Sequence, residues 1–466
     1  MVDNDNIIAL ASPSGVGAIS LIRISGPESI EIVDNFFRGV EKLSLKDQQS
    51  SKVQLGYIYD KKNTIDKVLV TVFRNPKSYT GEDLVEISCH GSLFIQQSII
   101  QLLLSKNCRI ANAGEFTMRS FLNGKMDLSQ AESVADLISS NSEASHRLAI
   151  NQMRGGFKND INDLRSELVN FASLIELELD FSQEDVEFAN MNELISLLDR
   201  ISLSLKTLID SFKTGNVIKN GIPVVIAGEP NSGKSTLLNS LLNEERAIVS
   251  PIPGTTRDTV EDQINLNGVI CRFIDTAGIR STKDEIESIG IKRTFKKIKE
   301  AEIIIYLIDY SQLNSSNMDY YIDYLNGIND EFPEKKLILV LNKEDEKSNV
   351  EIDSLSKFKP ISISAKNKIN ISALKEEIIT HINSLTSQID NSTISNSRHY
   401  DLLNKTYEEI HKVKSAINDK VSADLLAIDI KQSIYYLGEL TGEISNDEIL
   451  GNIFSNLKFV KKKENK

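Results

Sequence analysis

The stretch GEPNSGKST, at residues 228–236, decides how the centre of this chain folds. It contains the pattern G-x-x-x-x-G-K-S, follows the apolar run IPVVIA and precedes the helical pattern STLLNSLLN. A strand, a glycine-rich loop and a helix in this order form a phosphate-binding P-loop, because the glycines let backbone N–H groups turn inward. A chance glycine turn accounts for neither flank. We therefore predict a nucleotide site almost halfway along the 466 residues.

Residues 217–384, around this loop, alternate short apolar runs with helical segments. The runs read IPVVIAG, VICRFID, EIIIYLID, KLILVLN and PISIS. Continuous apolar strands that alternate with helices are typical of a parallel sheet covered on both faces. We expect a doubly wound α/β domain of the P-loop NTPase class over this range.

The N-terminal segment, residues 1–120, has a different pattern. The runs NIIALAS, AISLIRIS, KVLVTVF and LVEISC alternate with polar or Gly/Pro breaks, which predicts strands. Two stretches, PESIEIVDNFF and SLFIQQSIIQLLLSK, predict helices between them. This segment is expected to form an α+β domain.

Residues 121–216 and 385–466 both show apolar residues at helical spacing. One helix face in the second block carries residues three or four positions apart, namely Leu403, Tyr407, Ile410, Val413 and Ile417. Because helical blocks lie on both sides of the α/β domain, we expect one all-α domain into which that domain is inserted.

Composition limits the class of protein. The chain is 40% hydrophobic and long enough for about two to four packed domains. Its cysteines, Cys89, Cys108 and Cys271, show no zinc or CxxC spacing, which is typical of a reducing cytosol. No apolar run is long enough to span a bilayer, and the first residues lack the pattern of a signal peptide. We expect a cytoplasmic protein without a membrane partner, and its net charge of −13 argues against broad binding to nucleic acid.

Four further motifs identify the nucleotide. They follow the P-loop in the order GTTRD at 254–258, DTAG at 275–278, NKED at 342–345 and SAK at 364–366. The Asp345 carboxylate can accept hydrogen bonds from guanine N1–H and N2–H₂, whereas adenine offers no such donor pair and would leave the carboxylate unpaired. The predicted nucleotide is therefore GTP.

The P-loop and the next two motifs contain the side chains suited to phosphate chemistry. Lys234 would reach the β- and γ-phosphates, and the Ser235 hydroxyl would bind Mg²⁺. Thr256 is placed to close on Mg²⁺ and the γ-phosphate. Many GTPases have Gln directly after DTAG to orient water, but Ile279 occupies that position. The carboxylates of DEIE, at 284–287, are alternatives, although on the residues alone a solvated helix face explains them better.

Longer stretches resemble one family closely. They include SPSGVGAISLIRISG, SYTGEDLVEISCHGS, GEFTMRSFLNGKMDLSQAESVADLI, DTAGIRSTKDEIESIGI and LTGEISNDEILGNIFS. Together with the G motifs they cover nearly the whole chain, and they resemble the MnmE (TrmE) family of tRNA modification GTPases. This family has Era- and EngA-like G domains.

The resemblance implies a GTPase that uses K⁺ where other GTPases use an arginine finger. The matching K⁺ ligands are Asn231, Ser250, Ile252 and Thr255, and Glu287 matches the glutamate that orients the attacking water. Glu287, Lys234 and Thr256 are therefore the expected catalytic residues. The full set expected to bind GTP is Asn231, Ser232, Gly233, Lys234, Ser235, Thr236, Ser250, Pro251, Ile252, Pro253, Gly254, Thr255, Thr256, Asp275, Thr276, Ala277, Gly278, Asn342, Lys343, Asp345, Ser364, Ala365 and Lys366.

The resemblance also implies a folate site and partners. The N-terminal domain would bind a tetrahydrofolate one-carbon donor of the 5-formyl or 5,10-methylene type. The matching residues are Arg23, Glu86, Lys125 and Lys461. The family forms homodimers through this domain and works with MnmG, an FAD protein. Together they place a carboxymethylaminomethyl-type group on C5 of the wobble uridine in certain tRNAs.

The C-terminal end departs from the family pattern F-C-[aliphatic]-G-K. Lys458 occupies the cysteine position and Val460 the glycine position, while Lys461 matches the final lysine. This leaves a thiol step in the modification in question. Two other hypotheses stay open: a family member that hydrolyses GTP without modifying tRNA, and an Era-type GTP-switched RNA-binding or ribosome-assembly factor.

Overall fold

The structure is a computed structural model that describes residues 5–180, 191–244, 262–274, 296–348, 350–387, 389–419 and 421–444. The chain divides into two compact units. One comprises Met1–Ala135 with Gly438–Lys466, and the other comprises Asp136–Leu437.

The first unit is built on a seven-stranded sheet of order β3-β4-β5-β6-β2-β1-β7. Its strands are β1 (Asn6–Leu10), β2 (Ile19–Ser25), β3 (Phe37–Gly39), β4 (Val53–Asp60), β5 (Asn63–Phe73), β6 (Leu84–His90) and β7 (Cys108–Ile110). Its helices are α1 (Ser29–Asp34), α2 (Leu93–Leu104), α3 (Glu115–Leu122) and the start of α4 (Leu128–Ser139). The four strands and two helices expected for this segment are therefore present.

Side chains alternate between the two faces of this sheet, as the period of a strand requires. One face forms a core with Ile99 and Leu103 of α2. The opposite face carries the polar pair Arg23 and Glu86, which are directly opposite each other on β2 and β6. The expected helix PESIEIVDNFF ends earlier, at Asp34, because Phe37 pairs with Ile58 in the sheet.

The helices before and after the central α/β domain form one body. They are α5 (Glu143–Met153), α6 (Lys158–Asp180), α7 (Met191–Asn220), α11 (Ser397–Asn418) and α12 (Ala423–Thr441). Helices α7 and α11 are antiparallel: Asp199 pairs with Lys414 at 2.5 Å, while the rings of Phe212 and Tyr400 stack 4.3 Å apart. These contacts confirm that the central domain is inserted into a helical domain.

The apolar face predicted for the helix α11 is also confirmed. Leu403, Ile410 and Val413 are completely buried, and Tyr407 and Ile417 are partly buried. Burial of such side chains stabilises the fold by about 1.5–3 kcal/mol each. None of the helices in the described ranges is long and apolar enough to cross a membrane.

The inserted domain has a six-stranded sheet of order β13-β12-β11-β8-β10-β9. The strands are β8 (Ile222–Gly228), β9 (Asp262–Leu266), β10 (Val269–Phe273), β11 (Ile303–Asp309), β12 (Lys336–Asn342) and β13 (Ile361–Ile363). Helices α8 (Lys234–Glu244), α9 (Ser315–Glu331) and α10 (Ile371–Thr386) accompany it. Separate apolar clusters lie on its two faces, which confirms the expected doubly wound architecture.

The edge strand β9 departs from the parallel pattern. It pairs antiparallel with β10, so that Asp262 lies opposite Phe273. Asn267 and Gly268 between them have φ angles of 51° and 77°. Positive φ at both central residues is the geometry of a tight type I′ hairpin turn, for which Asn-Gly is the preferred sequence. A two-residue connection can join only antiparallel neighbours.

Candidate functional site

The glycine-rich loop has the conformation of a phosphate cradle. Gly228 ends β8 with φ 145°, and Gly233 precedes α8 with φ 98°. A Cβ atom on Gly233 would lie 2.1 Å from Nδ2 of Asn342, and one on Gly228 would lie 2.3 Å from the carbonyl oxygen of Leu307. Only glycine fits both positions, because any side chain would collide with Asn342 at one and with the backbone of Leu307 at the other. The P-loop predicted from the sequence is therefore present.

Lys234 lies over this loop. Its Nζ donates hydrogen bonds to the carbonyl oxygens of Gly228 at 2.9 Å and Glu229 at 2.7 Å. Burial lowers the pKa of the Lys234 ammonium. Ser232 is almost completely buried, and its Oγ has no hydrogen-bond partner among the residues that the structure describes. A half-buried cation and an unused hydroxyl fit the oxygens of a bound phosphate.

One asparagine side chain connects the expected guanine-binding motifs, NKED and SAK, to the P-loop. Asn342, at the end of β12, donates from Nδ2 to the carbonyl oxygen of Ser232 at 2.8 Å. Its Oδ1 accepts from the backbone amide of Ala365 at 3.0 Å. The motifs GEPNSGKS, NKED and SAK are therefore held at the same edge of the sheet, where the carboxyl ends of its parallel strands lie.

The Asp345 carboxylate is exposed at this edge and suits guanine. A hydrogen bond from Ser364 lowers the pKa of Asp345, and Asn367 also donates to its Oδ2 at 2.9 Å. An ionised carboxylate accepts only, so it can receive the two N–H donors of the guanine edge. Lys366 lies beside it and is exposed. The residues present fit a guanine nucleotide.

Several predicted residues lie outside the described ranges. They are Ser250, Pro251, Ile252, Pro253, Gly254, Thr255, Thr256, Asp275, Thr276, Ala277, Gly278, Glu287 and Lys461. Among the predicted cation ligands, Asn231 is described as an exposed residue with φ 62°, and Ser235 lies in the first turn of α8. The Mg²⁺ and K⁺ sites therefore stay predictions.

In the first unit, two of the predicted folate residues form a pair. Arg23 donates from Nε at 2.9 Å and from Nη2 at 2.6 Å to Oε1 of Glu86. Its guanidinium lies 5.2 Å from the ring centre of Tyr79 and 5.6 Å from that of Phe116. Oε2 of Glu86 has no partner within the described part of the chain. A carboxylate oxygen beside an arginine that is flanked by aromatic rings fits the amino-pyrimidine edge of a pterin.

Lys125 belongs to the same region. It is exposed, its Nζ donates to the carbonyl oxygen of Pro76 at 2.9 Å, and its stem lies 3.3 Å from the position of a Cβ on Gly81. Tyr79 lies between Pro76 and Gly81 in the sequence. One loop therefore links Lys125 to the Arg23–Glu86 pair.

A buried cluster of charges anchors this loop. Arg119 is completely buried and contacts Glu82 at 3.2 Å, Asp5 at 2.5 Å and Glu115 at 3.2 Å. Glu82 also accepts from the hydroxyl of Ser25 at 2.8 Å. Removing one partner from a buried ion cluster leaves an uncompensated charge, which is strongly destabilising. The loop that carries Tyr79 is therefore firmly held.

With this geometry established, two family models match the chain. The model of the GTP-binding protein TrmE N-terminus matches residues 6–125, and the model of the MnmE helical domain matches residues 128–457. The chain belongs to the MnmE (TrmE) family. The first hypothesis from the sequence, the family itself, is thereby confirmed.

Curated relatives agree over the full length. The chain is 55% identical to a Flavobacterium johnsoniae protein, with 98% of this chain and 99% of the relative covered. It is 55% identical to a Christiangramia forsetii protein, with 97% and 98% covered. It is 49% identical to a Bacteroides thetaiotaomicron protein, again with 97% and 98% covered. Each of these relatives is named tRNA modification GTPase MnmE.

Solved structures show a more limited likeness. The chain is 25% identical to the G domain of the T. maritima FeoB iron transporter. This match covers 34% of the present chain and 98% of the FeoB G domain, with a TM-score of 0.25. It is 22% identical to a GTP-binding protein from Sulfolobus solfataricus in complex with GDP, with coverage of 49% and 68% and a TM-score of 0.26.

The sequence motifs did not indicate every residue of these sites. Tyr79 and Phe116 flank Arg23, although both lie in stretches that carry the family resemblance. Asp309 binds Lys343 and belongs to none of the G motifs. The signal for Asp309 was its position at the end of a continuous apolar strand, because such strands end at the ligand edge of a parallel sheet.

Proposed function

We propose that this chain is a GTP hydrolase that acts in tRNA modification, as the names of its relatives state for those proteins. The observation that carries the proposal is the side chain of Asn342, which joins the phosphate loop to the base-reading loop. A catalyst for phosphoryl transfer works mainly by positioning and electrostatic stabilisation. A side chain that holds the base-binding loop and the phosphate-binding loop in fixed positions is suited to this reaction. The full-length match to the relatives supports the tRNA part.

The finer chemistry of the G domain follows from the family resemblance. Lys234 and Mg²⁺, held by Ser235 and Thr256, would neutralise charge on the β- and γ-phosphates. K⁺, held by Asn231, Ser250, Ile252 and Thr255, would offset charge that develops between them. Glu287 would orient the attacking water, a role that Ile279 cannot fill.

The folate site would supply the one-carbon unit. In this proposal Glu86 accepts from the amino-pyrimidine edge of a 5-formyl- or 5,10-methylene-tetrahydrofolate. Arg23 orients Glu86, and Lys125 with Lys461 binds the donor's carboxylates. The arrangement of Arg23, Glu86, Tyr79 and Phe116 supports this assignment.

The assembly would be a homodimer that binds MnmG, whose FAD takes part in forming the carboxymethylaminomethyl-type group at C5 of the wobble uridine in the cytoplasm. The exposed face of the N-terminal sheet supports a dimer through this domain, because Val53, Leu55 and Leu69 on the neighbouring strands β4 and β5 are 61%, 41% and 45% exposed. Contiguous exposed apolar side chains are typical of protein interfaces. The helices α11 and α12 after the G domain favour this reading over an Era-type factor.

The test is GTP hydrolysis by the purified chain in K⁺ or Na⁺ buffer. We expect faster turnover in K⁺, loss of turnover in Lys234→Ala, and loss of K⁺ stimulation with retained GDP binding in Asn231→Ala. ATP is the control substrate and should be hydrolysed far more slowly. Equal rates with GTP and ATP would reject the guanine assignment, and equal rates in K⁺ and Na⁺ would reject the role of K⁺.

A further inference from the structure

Asp309 is a buried carboxylate at the ligand edge of the G-domain sheet. It is the last residue of β11 and lies beside Asn342 in the parallel pairing of β11 with β12. Its exposed fraction is 8%. A buried acid needs partners that satisfy its charge, so its contacts indicate what it does.

Both oxygens of Asp309 are occupied. Oδ2 pairs with Nζ of Lys343 at 2.5 Å, while Oδ1 accepts from the amide of Ser311 at 3.0 Å and from its hydroxyl at 2.6 Å. Burial opposes the charged form, but the hydrogen bonds from Lys343 and Ser311 outweigh it and lower the pKa of Asp309. The carboxylate is therefore ionised and fixed in orientation.

Lys343 is held at both ends as a result. Its backbone has a left-handed φ of 68° and directly follows Asn342, whose side chain is hydrogen-bonded to the P-loop. Its ammonium is held by Asp309, and its side chain is 31% exposed. Lysine often presents its methylene stem to an apolar surface while its charged head is bound elsewhere. A stem fixed at both ends offers such a surface without further loss of conformational entropy on binding.

We propose that Asp309 is a positioning residue for guanine: by holding the ammonium of Lys343, it keeps the lysine stem as an apolar wall for the flat face of the base. This inference rests on the proposed function, because it assumes a guanine nucleotide at Asp345. Asp309 acts through Lys343 and does not itself contact the nucleotide. It therefore contributes to binding of the base and not of the phosphates.

The experiment compares GDP with inorganic tripolyphosphate as ligands of the full-length chain, by calorimetry. In Asp309→Asn the ammonium loses its ionic partner, and we expect the Kd for GDP to rise by about tenfold. The Kd for tripolyphosphate should stay within twofold, because the P-loop contacts do not involve Asp309. Ser311→Ala is the matched control, since it removes one hydroxyl from Oδ1 and leaves the Lys343 pair and the Ser311 amide in place.

The outcomes separate three cases. An increase of Kd confined to GDP, with partial recovery in Asp309→Glu, supports the inference. An unchanged Kd for GDP in folded Asp309→Asn, or an equal loss for GDP and tripolyphosphate, overturns it and leaves Asp309 as a structural ion-pair partner. Failure of the native chain to bind GDP would overturn the proposed function and this inference with it.

Discussion

The backbone amide of Ala144 donates a hydrogen bond of 3.1 Å to the carbonyl oxygen of Gly268. Ala144 is the second residue of α5 in the helical domain, and Gly268 is at the tip of the β9–β10 hairpin in the G domain. The first amides of a helix have no partner inside it, so the hairpin carbonyl caps α5. The hairpin lies in the sequence between GTTRD and DTAG, the segments expected to sense the γ-phosphate. It is therefore a direct contact between the G domain and the helical frame.

We predict that Gly268→Ala weakens this link. A Cβ atom there would lie 3.1 Å from Cβ of Glu143, and φ is 77°. Gly124→Ala is the control, because it has φ 67° and open space around its Cβ. Both changes carry the cost of a left-handed alanine, about 1–3 kcal/mol. Thermal unfolding should show the larger loss in Gly268→Ala, together with a lower yield of modified tRNA per GTP hydrolysed. Equal behaviour of the two variants would contradict the link.

The buried charge cluster predicts how stability depends on pH. Burial opposes ionisation of Asp5 and Glu115, but hydrogen bonds and the positive charges of Arg109 and Arg119 outweigh it and lower the pKa of both carboxyls. Both carboxylates therefore stabilise the fold at pH above their pKa values in the unfolded chain, about 3.9 and 4.3. This stabilisation is lost as the pH falls through their pKa values in the folded chain. The free energy of unfolding of the native chain, measured in urea, should therefore decrease at pH below those values.

In Arg119→Met the loss of stability in acid should begin at higher pH, because Glu115 keeps its burial and loses a cationic partner. The variant should also be less stable at neutral pH by about 3–5 kcal/mol. The control is Arg38→Met, which removes an exposed arginine that lies 4.8 Å from the ring centre of Tyr59. If the free energy of unfolding depends on pH in the same way in the native protein and in Arg119→Met, the cluster does not determine the stability in acid.

Glu86→Gln should weaken binding of 5-formyltetrahydrofolate. Loss of a charged acceptor costs about 1.5–3 kcal/mol, which corresponds to roughly 10- to 100-fold in Kd. Equilibrium dialysis measures this directly. Ser88→Ala, two residues along the same face of β6, is the matched control and should leave the Kd unchanged. Binding by Glu86→Gln within twofold of the native chain would remove Glu86 from the folate site.

Nucleotide binding should take up protons at alkaline pH. Burial lowers the pKa of Lys234 in the free protein, whereas bound phosphates would raise it again. Between the two pKa values binding is linked to proton uptake, so GDP affinity falls as pH rises through that window. Calorimetry in two buffers of different ionisation enthalpy reports the uptake. It should vanish in Lys234→Arg, because arginine stays protonated. Heats that do not depend on the buffer in the native chain would contradict the linkage.

The sequence was most informative where local patterns are strong. The strands from IPVVIAG to PISIS were found because each is a short apolar run, and the P-loop because its glycines need special backbone angles. Strand β9 is not among the predicted strands because only two of its five residues, Ile264 and Leu266, are apolar, although Asn267–Gly268 is a turn signal. The short strands β3 and β7 form only through pairing with distant neighbours.

The contacts within the sites could not be read from the sequence. Asn342 and Ser232 are 110 residues apart, and only the parallel order of β8, β11 and β12 brings them together. The stacking of Tyr79 and Phe116 on Arg23 depends in the same way on the packing of the loop before β6 and of α3 against β2. The roles of Glu287, Thr256 and Lys461 stay predictions, since these residues lie outside the described ranges.

The most direct test of the account is mass spectrometry of wobble nucleosides in tRNA from cells that lack their own family member. The cells would express this chain or Lys234→Ala with MnmG, the proposed partner, and Lys458→Cys would be compared in parallel. We predict that the native chain restores the C5-modified uridine and that Lys234→Ala does not. Restoration only by Lys458→Cys would show that the natural chain is a GTPase that no longer modifies tRNA. Equal restoration by Lys234→Ala, or none by the native chain in a formed MnmG complex, would contradict a function in which GTP hydrolysis drives the modification.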